Sequence, residues 1–320
     1  MPSLVNNSIL MDPLMYSLLL HKLVLVQVLV GVFLYVNCLI IFTFLKKEMF
    51  REDTRYILFA QTLFVDSAFL VICDLLLIFK HYQYRMHIIP CILICTAAAL
   101  FTDCTPLTLV AMCLERYVAI CMPLRHADIS TKRTRFLGII IIWGISSISP
   151  LFTFLAYLSV VPPSTLFSYD YCTMEVMYKE EWQAQTRFII LLILFIFMIF
   201  IVVFTYIKIM IAARAASSSK NKSTNKSRRT VMLHAFQLFL CIMPFICTYI
   251  EMAFWNNDFM VFINVKYSFF IIFYIVPRCL SPLIYGMRDE KFFLVLRHYA
   301  VWGFDNYLQT LLINYKKNIT

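Results

Sequence analysis

The chain has 320 residues, of which 62% are apolar or aromatic and only 14% are charged. A soluble domain carries about a quarter charged residues, so this composition excludes a water-soluble globular protein and indicates an integral membrane protein. The formal net charge is +10, and the basic residues gather between apolar stretches. That distribution favours contact with an anionic membrane face over contact with nucleic acid.

Seven stretches are long and apolar enough to cross a bilayer, which takes about 20 mostly apolar residues. They lie at 23–45, 56–79, 91–121, 136–160, 186–212, 230–250 and 262–286. Residues 1–22 precede them as an N-terminal segment, and the first span is predicted to be an uncleaved signal-anchor. The loops are short, so the predicted fold is an all-α seven-transmembrane bundle over residues 23–286.

Basic residues predict the orientation of the bundle. The loops after spans one, three and five and the C-terminal segment together hold 20 Lys and Arg residues, whereas the opposite side holds six. The positive-inside rule therefore predicts an extracellular N-terminus and a cytoplasmic C-terminus. The sequon at Asn6 then lies on the lumenal side, where it can be glycosylated, whereas those at Asn221, Asn225 and Asn318 should be inert.

Residues 287–304 follow the last span and predict a short amphipathic eighth helix at the cytoplasmic membrane surface. One face carries Phe292, Phe293, Leu296 and Tyr299, and the other carries Lys291, Arg297 and His298. This separation is typical of a helix that lies in the membrane interface. Residues 305–320 form a cytoplasmic tail.

Eleven cysteines are present, and only Cys91 and Cys172 lie on the extracellular side of the predicted bundle. Cys91 begins span three, and Cys172 lies in the loop between spans four and five. In an oxidising compartment the two thiols are expected to form a disulfide, which would be worth about 4 kcal/mol for so long a loop. Two unpaired thiols are the alternative.

Several charged residues fall inside the predicted spans. Arg116 is 25 residues after Cys91, or about 37 Å along a helix, so Glu115 and Arg116 are expected at the cytoplasmic edge. Asp66 lies in the middle of span two and Arg278 in the lower middle of span seven, where an unpaired charge is costly, so we expect them to pair. Asp103 is a rival partner for Arg278, and separate hydration of each group is a further alternative.

Polar residues in all seven spans together resemble the landmarks of rhodopsin-like G-protein-coupled receptors. The matching positions are Asn37, Asp66, Cys91 with Cys172, Glu115-Arg116-Tyr117, Trp143, Tyr206, Cys241-Ile242-Met243-Pro244 and Ser281-Pro282-Leu283-Ile284-Tyr285. Eight such landmarks in order and at the right depths make a specific match, whereas each motif alone is weak.

The narrower resemblance is to odorant receptors, particularly those of fish. It is carried by LERYVAICMPLRH (114–126), PRCLSPLIYGMRDEKF (277–292), REDTRYILFAQTLFVDS (51–67) and His234. Ile242 and Ser281 depart from the Trp and Asn usual in many other receptors. Arg278 stands where many relatives hold a sodium ion beside the aspartate, so we expect it to neutralise Asp66 and to abolish sodium modulation.

The resemblance implies a plasma-membrane receptor of olfactory sensory neurons that binds a small-molecule odorant and activates a heterotrimeric G protein, raising cyclic AMP. No enzyme activity, cofactor, metal or nucleic-acid partner is implied. Family depth places the ligand pocket at Ala98, Ala99, Thr102, Arg187, Ile190, Ile242, Phe245, Tyr249 and Tyr274. The coupling residues would be Glu115, Arg116, Tyr117, Tyr206, His234 and Tyr285, and the buried polar network Asn37, Asp66, Asp103, Arg278 and Ser281.

Other interpretations stay open on the sequence alone. Arg187 is suited to an anionic ligand, but it can equally extend towards the membrane surface as a snorkelling base. Tyr206 and Tyr285 can be interfacial anchors. A receptor of the same fold for a peptide, lipid or amine is the main alternative, although Ala98 occupies the position of the aspartate in amine receptors. A transporter or membrane enzyme is disfavoured, because no internal repeat and no nucleophile–base pair is apparent.

Overall fold

A computed structural model describes residues 13–46, 50, 52–216, 232, 236, 239–240, 243 and 259–279. Within these residues, five helices are long and apolar enough to cross a membrane. They are α1 (Pro13–Lys46), α2 (Thr54–His81), α3 (Ile88–Cys121), α4 (Lys132–Val160) and α5 (Glu181–Ala216). These helices coincide with the first five predicted spans, except that α1 begins ten residues earlier than the predicted span at residue 23.

Part of the seventh predicted span is also helical. An α-helix at Phe259–Phe269 continues as a π-helical turn at Phe270–Ile275 and then as helix to residue 279. The predicted sixth span lies almost wholly outside the described residues. The sequon at Asn6, the eighth helix at 287–304 and the tail at 305–320 also lie outside them.

Local signals in the sequence account for the helix ends near the inner loops. Asp53 caps α2, since its carboxylate accepts a hydrogen bond of 2.9 Å from the backbone N–H of Arg55. Thr131 caps α4 in the same way through the N–H of Thr134. Pro123 is the first residue of a short helix, Pro123–Ile129, that follows α3 directly.

Helix α3 occupies the centre of the described bundle and packs against α2, α4 and α5. The 259–279 helix packs between α1 and α2, where Ile275 and Cys279 bury themselves against Val30 and Leu70. Large apolar side chains such as Phe200 and Leu155 remain exposed on the outward faces. Such apolar outward faces suit a hydrocarbon solvent, in which backbone polar groups must be satisfied within the helices.

A disulfide links α3 to the loop before α5 at one end of the bundle. The distribution of basic residues predicts that this end is extracellular, and we call it the outer end. Cys91 and Cys172 are bonded, with Cα atoms 5.5 Å apart, so the predicted disulfide is confirmed. Strand β1 (Arg85–His87) pairs antiparallel with strand β2 (Tyr169–Tyr171) beside it. The disulfide is buried in an apolar cluster at the top of α3, and the loop before α5 is therefore held over the bundle.

Candidate functional site

A polar cavity of about 360 Å³ lies at the inner end of the bundle, where α3 ends. Its lining residues are Glu52, Asp53, Arg55, Glu115, Arg116, Ala119, His126 and Ser130. Glu115 stands between two bases, since its Oε2 lies 3.5 Å from Arg116 Nε and its Oε1 lies 3.7 Å from His126 Nε2. The adjacent acid and base of the sequence motif thus lie in one polar cluster with His126.

His126 is a member of this cluster that sequence reasoning did not assign. Pro123 begins a new helix directly after α3, and the change of direction returns His126 to Glu115. The signal was available in the sequence, because the proline breaks α3 and the histidine follows it by three residues. The contact itself depends on the angle of the turn, which the sequence does not specify.

The other predicted coupling residues are only partly described. Tyr117 packs against Phe204 of α5, with ring centroids 6.0 Å apart. Tyr206 lies on α5 and is half-buried. His234 and Tyr285 lie outside the described residues.

A buried ion pair crosses the middle of the bundle. Arg278 Nε lies 3.8 Å from Asp66 Oδ1, and the two side chains are 5% and 0% exposed. Thr105 of α3 donates a 2.8 Å hydrogen bond to the same carboxylate oxygen. The Arg278 guanidinium also donates to the carbonyl oxygen of Tyr274 and lies 3.8 Å from the centroid of the Phe69 ring. Of the two acids that the sequence offered to Arg278, Asp66 is the one it contacts.

Three further residues, Asn37, Asp103 and Ser281, were predicted to belong to this polar network, and Asp103 is described below with α5. Asn37 is buried in α1 and donates a 2.9 Å hydrogen bond to Ser67 Oγ of α2. Ser67 immediately follows Asp66, so this bond ties α1 to the helix that carries the buried acid. Ser281 lies outside the described residues.

The predicted ligand pocket is divided between described and undescribed residues. Ala98 and Ala99 are buried in α3, and the Thr102 hydroxyl donates a hydrogen bond back to the carbonyl oxygen of Ala98. Ile190 is half-buried on α5. The Tyr274 ring stacks on Phe69 with the planes 11° apart. Ile242, Phe245 and Tyr249 lie outside the described part of the chain.

Two charged side chains, Asp103 of α3 and Arg187 of α5, lie within the membrane-length helices. Arg187 donates a hydrogen bond to the hydroxyl of Tyr178 and lies over its ring. Asp103 is 5% exposed and lines a narrow cavity of about 10 Å³. The sequence pointed to Asp103 as a rival partner for Arg278 and as a member of the buried polar network, and it gave no indication that Tyr178 contacts Arg187.

The loop over the outer end carries an ion pair to the seventh predicted span. Lys266 Nζ lies 3.0 Å from Glu175 Oε1. The Glu175 side chain is largely exposed, and partial desolvation of its carboxyl by neighbouring groups raises the pKa. The charge and hydrogen bond of Lys266 and a hydrogen bond from Thr173 outweigh this effect, so the pKa falls to about 2. Glu175 is therefore ionised at neutral pH.

One group of side chains in the described residues has the spacing of metal ligands. The sulfur atoms of Cys91, Cys95 and Cys172 lie within 4.8 Å of one another. Two of them are joined in the disulfide, so Cys95 is left as the single thiol of the group. A closed metal site takes about four ligands, which this group does not supply.

The long apolar helices, the buried charges and the disulfide at the outer end are found together in a known protein family. Residues 36–285 match the family described as 7 transmembrane receptor (rhodopsin family). The chain belongs to this family. The seven-transmembrane fold predicted from the sequence is thereby confirmed for this receptor, and the family is one of receptors and not of enzymes.

Two relatives narrow the comparison. The receptor is 53% identical to odorant receptor 131-2 of Danio rerio over 298 residues, which cover 93% of this chain and 91% of the relative. It is 33% identical to growth hormone secretagogue receptor type 1 of Sus scrofa over 116 residues, which cover 34% of this chain and 32% of that receptor. The resemblance to odorant receptors indicated by the motifs is confirmed by the first relative.

Proposed function

We propose that this receptor is an odorant receptor of the plasma membrane, which binds a small molecule inside the bundle and activates a heterotrimeric G protein at the inner end. The observation that carries the proposal is the 53% identity to an odorant receptor over 93% of the chain. The match to a growth hormone secretagogue receptor extends over only 34% of the chain, which is too little to favour a ligand of that receptor's kind.

The charged cluster at the inner end supports a two-state switch. Glu115 faces Arg116 on one side and His126 on the other, at 3.5 and 3.7 Å. In the inactive state Glu115 holds Arg116 by charge and fills part of the polar cavity. In the active state the arginine leaves Glu115 and turns to the G protein and to the hydroxyls of Tyr206 and Tyr285.

The buried pair in the middle of the bundle supports a receptor that does not use sodium. The guanidinium of Arg278 provides the positive charge beside Asp66 that a cation would otherwise provide. The ligand acts in the outer half of the bundle, and the switch lies at the inner end. The Asp66–Arg278 pair lies between these two regions and connects the helices there. A ligand changes the equilibrium only through its difference in affinity for the two arrangements.

The proposal is tested by expressing the full-length receptor in cells and measuring cyclic AMP against a panel of water-soluble odorants. At least one odorant should raise cyclic AMP in a dose-dependent way, and coexpressed stimulatory G protein should increase the response. Cells that carry the empty vector provide the control for endogenous receptors. Activation by peptides or lipids, with no response to any small odorant, would contradict the proposed ligand class.

A further inference from the structure

Three cysteine sulfur atoms lie together at the outer end of α3. The sulfur atoms of Cys91, Cys95 and Cys172 are all within 4.8 Å of one another, although only Cys91 and Cys172 are bonded. A sulfur–sulfur bond is about 2 Å long, so the gap between Cys95 and either neighbour has to close by no more than about 3 Å for a bond to form. The remaining thiol is therefore within reach of the disulfide.

The side chain of Cys95 is turned towards the loop that carries Cys172. Its thiol donates a hydrogen bond of 3.7 Å to the backbone carbonyl oxygen of Thr173, the residue that follows Cys172. Cys91, Cys95 and Cys172 belong to one apolar cluster, and each is no more than 2% exposed. Soluble oxidants and reductants therefore have little access to Cys95, and exchange with the adjacent disulfide is the reaction open to it.

The two bonded sulfur atoms differ as targets for this thiol. Cys91 lies four residues before Cys95 on the same helix, where the Cβ atoms of such a pair are about 5–6 Å apart. A disulfide requires about 3.5–4.5 Å between Cβ atoms, so a bond between Cys91 and Cys95 would distort α3. Cys172 belongs to a loop, which can move towards Cys95 while the helix keeps its shape. Attack on Cys172 is therefore the favoured exchange.

We propose that Cys91, Cys95 and Cys172 form a thiol–disulfide exchange site, in which Cys95 is a second bonding partner for Cys172. The Cys95 thiolate attacks the Cys172 sulfur, so that the Cys95–Cys172 bond forms and the Cys91–Cys172 bond breaks. Cys91 leaves as a thiolate and takes up the proton that Cys95 released. The number of electrons is unchanged, so the step needs no oxidant or reductant.

The form with Cys91 bonded is the one that the surrounding contacts stabilise. Tyr171 pairs with Arg85 in the two-stranded sheet directly before Cys172. This pairing holds the loop at the first turn of α3. The apolar surroundings disfavour a thiolate, so we expect exchange in the folded receptor to take hours and to leave the form with Cys95 bonded as a minor population.

Exchange would move the loop towards the centre of the bundle. Cys95 lies one helical turn below Cys91, and Ala98 and Ala99 of the predicted ligand pocket follow one turn later. The loop would then cover the entrance to that pocket more closely. This consequence rests on the proposed function, whereas the exchange itself is mapped chemically and needs neither a ligand nor a G protein.

The exchange is tested on purified full-length wild-type receptor in lipid nanodiscs. The receptor is held for hours at about pH 8.5, where thiolates are populated, and is then denatured and alkylated with N-ethylmaleimide in mild acid, which stops further exchange. Fragmentation of the tryptic peptide 86–116 locates the alkylated cysteines. We expect alkylated Cys91 with a Cys95–Cys172 bond in about 1–10% of the molecules, and absence of this species would overturn the proposal. Cys104 and Cys113 of the same peptide are internal controls and should be alkylated throughout, since their bonding to Cys172 would report exchange after denaturation.

Cys91→Ser tests the second bonding partner directly. At the cell surface this variant should carry a Cys95–Cys172 disulfide, and Cys91→Ser/Cys95→Ser should lose it and carry an alkylated Cys172. Cys91→Ser/Cys73→Ser is the matched control and should keep the Cys95–Cys172 bond, because Cys73 lies on α2. A Cys91→Ser receptor with a free Cys172, or with Cys172 bonded to another cysteine, would overturn the proposal. The wild-type measurement decides if Cys91→Ser does not reach the surface.

Discussion

Replacement of Arg278 by leucine removes the cation that faces Asp66 while it keeps the size of the aliphatic stem. The variant loses the contact at 3.8 Å to the carboxylate, the hydrogen bond to the Tyr274 carbonyl and the contact with the Phe69 ring. It also leaves a fully buried acid whose remaining hydrogen-bond donor is Thr105. We expect the free energy of unfolding to fall by about 3–5 kcal/mol, which is the range for breaking a buried ion pair by removal of one partner.

The loss should be smaller when the acid is neutralised as well. In the double variant Asp66→Asn/Arg278→Leu the buried charge is gone, so we expect about half of the lost stability to return. A double-mutant cycle on thermal unfolding in detergent measures this coupling. Arg133→Leu, an exposed position in the first turn of α4, is the matched control and should change stability by less than about 0.5 kcal/mol.

The same variant tests the expected indifference to sodium. In the wild type, replacement of sodium by choline should not shift the potency of an agonist, because Arg278 already neutralises Asp66. In Arg278→Leu the carboxylate becomes available to a cation, and sodium should then shift the potency. A wild-type sodium effect that Arg278→Leu abolishes would refute this reasoning, as would a variant with unchanged stability.

Three further changes have defined outcomes. Cys172→Ser should lower the free energy of unfolding by about 4 kcal/mol and reduce surface expression, whereas Cys95→Ser should leave the disulfide intact in a non-reducing mass analysis. Lys266, with hydrogen bonds from Thr173 and the backbone, lowers the pKa of Glu175 from 4.5 to about 2, so ionised Glu175 stabilises the receptor above pH 4.5 and this stabilisation is lost as the pH falls towards 2. Both side chains are exposed, so a thermal scan at pH 6 and pH 3 should show less than about 1 kcal/mol from this pair, and Glu175→Gln should remove the difference. Glu115→Gln should raise basal cyclic AMP about fivefold by weakening the hold on Arg116, and an unchanged basal level would contradict the role given to Glu115.

Much of the architecture was predictable because the bilayer restricts what a chain can do. Apolar length locates the spans, and the depth of Arg116 follows from its distance to Cys91, since a helix advances by a fixed rise per residue. The disulfide was predictable because Cys91 and Cys172 are the two cysteines on one side of the predicted bundle.

Contacts between helices were much less predictable, because they depend on rotation and tilt. On the sequence alone, either Asp66 or Asp103 could pair with Arg278. The packing of the seventh span against α1 and α2 brings Arg278 to Asp66. The approach of His126 to Glu115 depends on the turn at Pro123 in the same way. The sequence left two alternatives for Arg187, a contact with a ligand or a position at the membrane surface. In the structure its guanidinium contacts Tyr178.

The central claim is that Arg116 at the inner end transmits the binding of a small molecule to a G protein. It is tested most directly by agonist-stimulated cyclic AMP in cells that express Arg116→Ala or the control Arg133→Ala at equal surface levels. We expect Arg116→Ala to lose the response while it still binds the agonist, and Arg133→Ala to respond as the wild type does. A full response from Arg116→Ala would contradict the account.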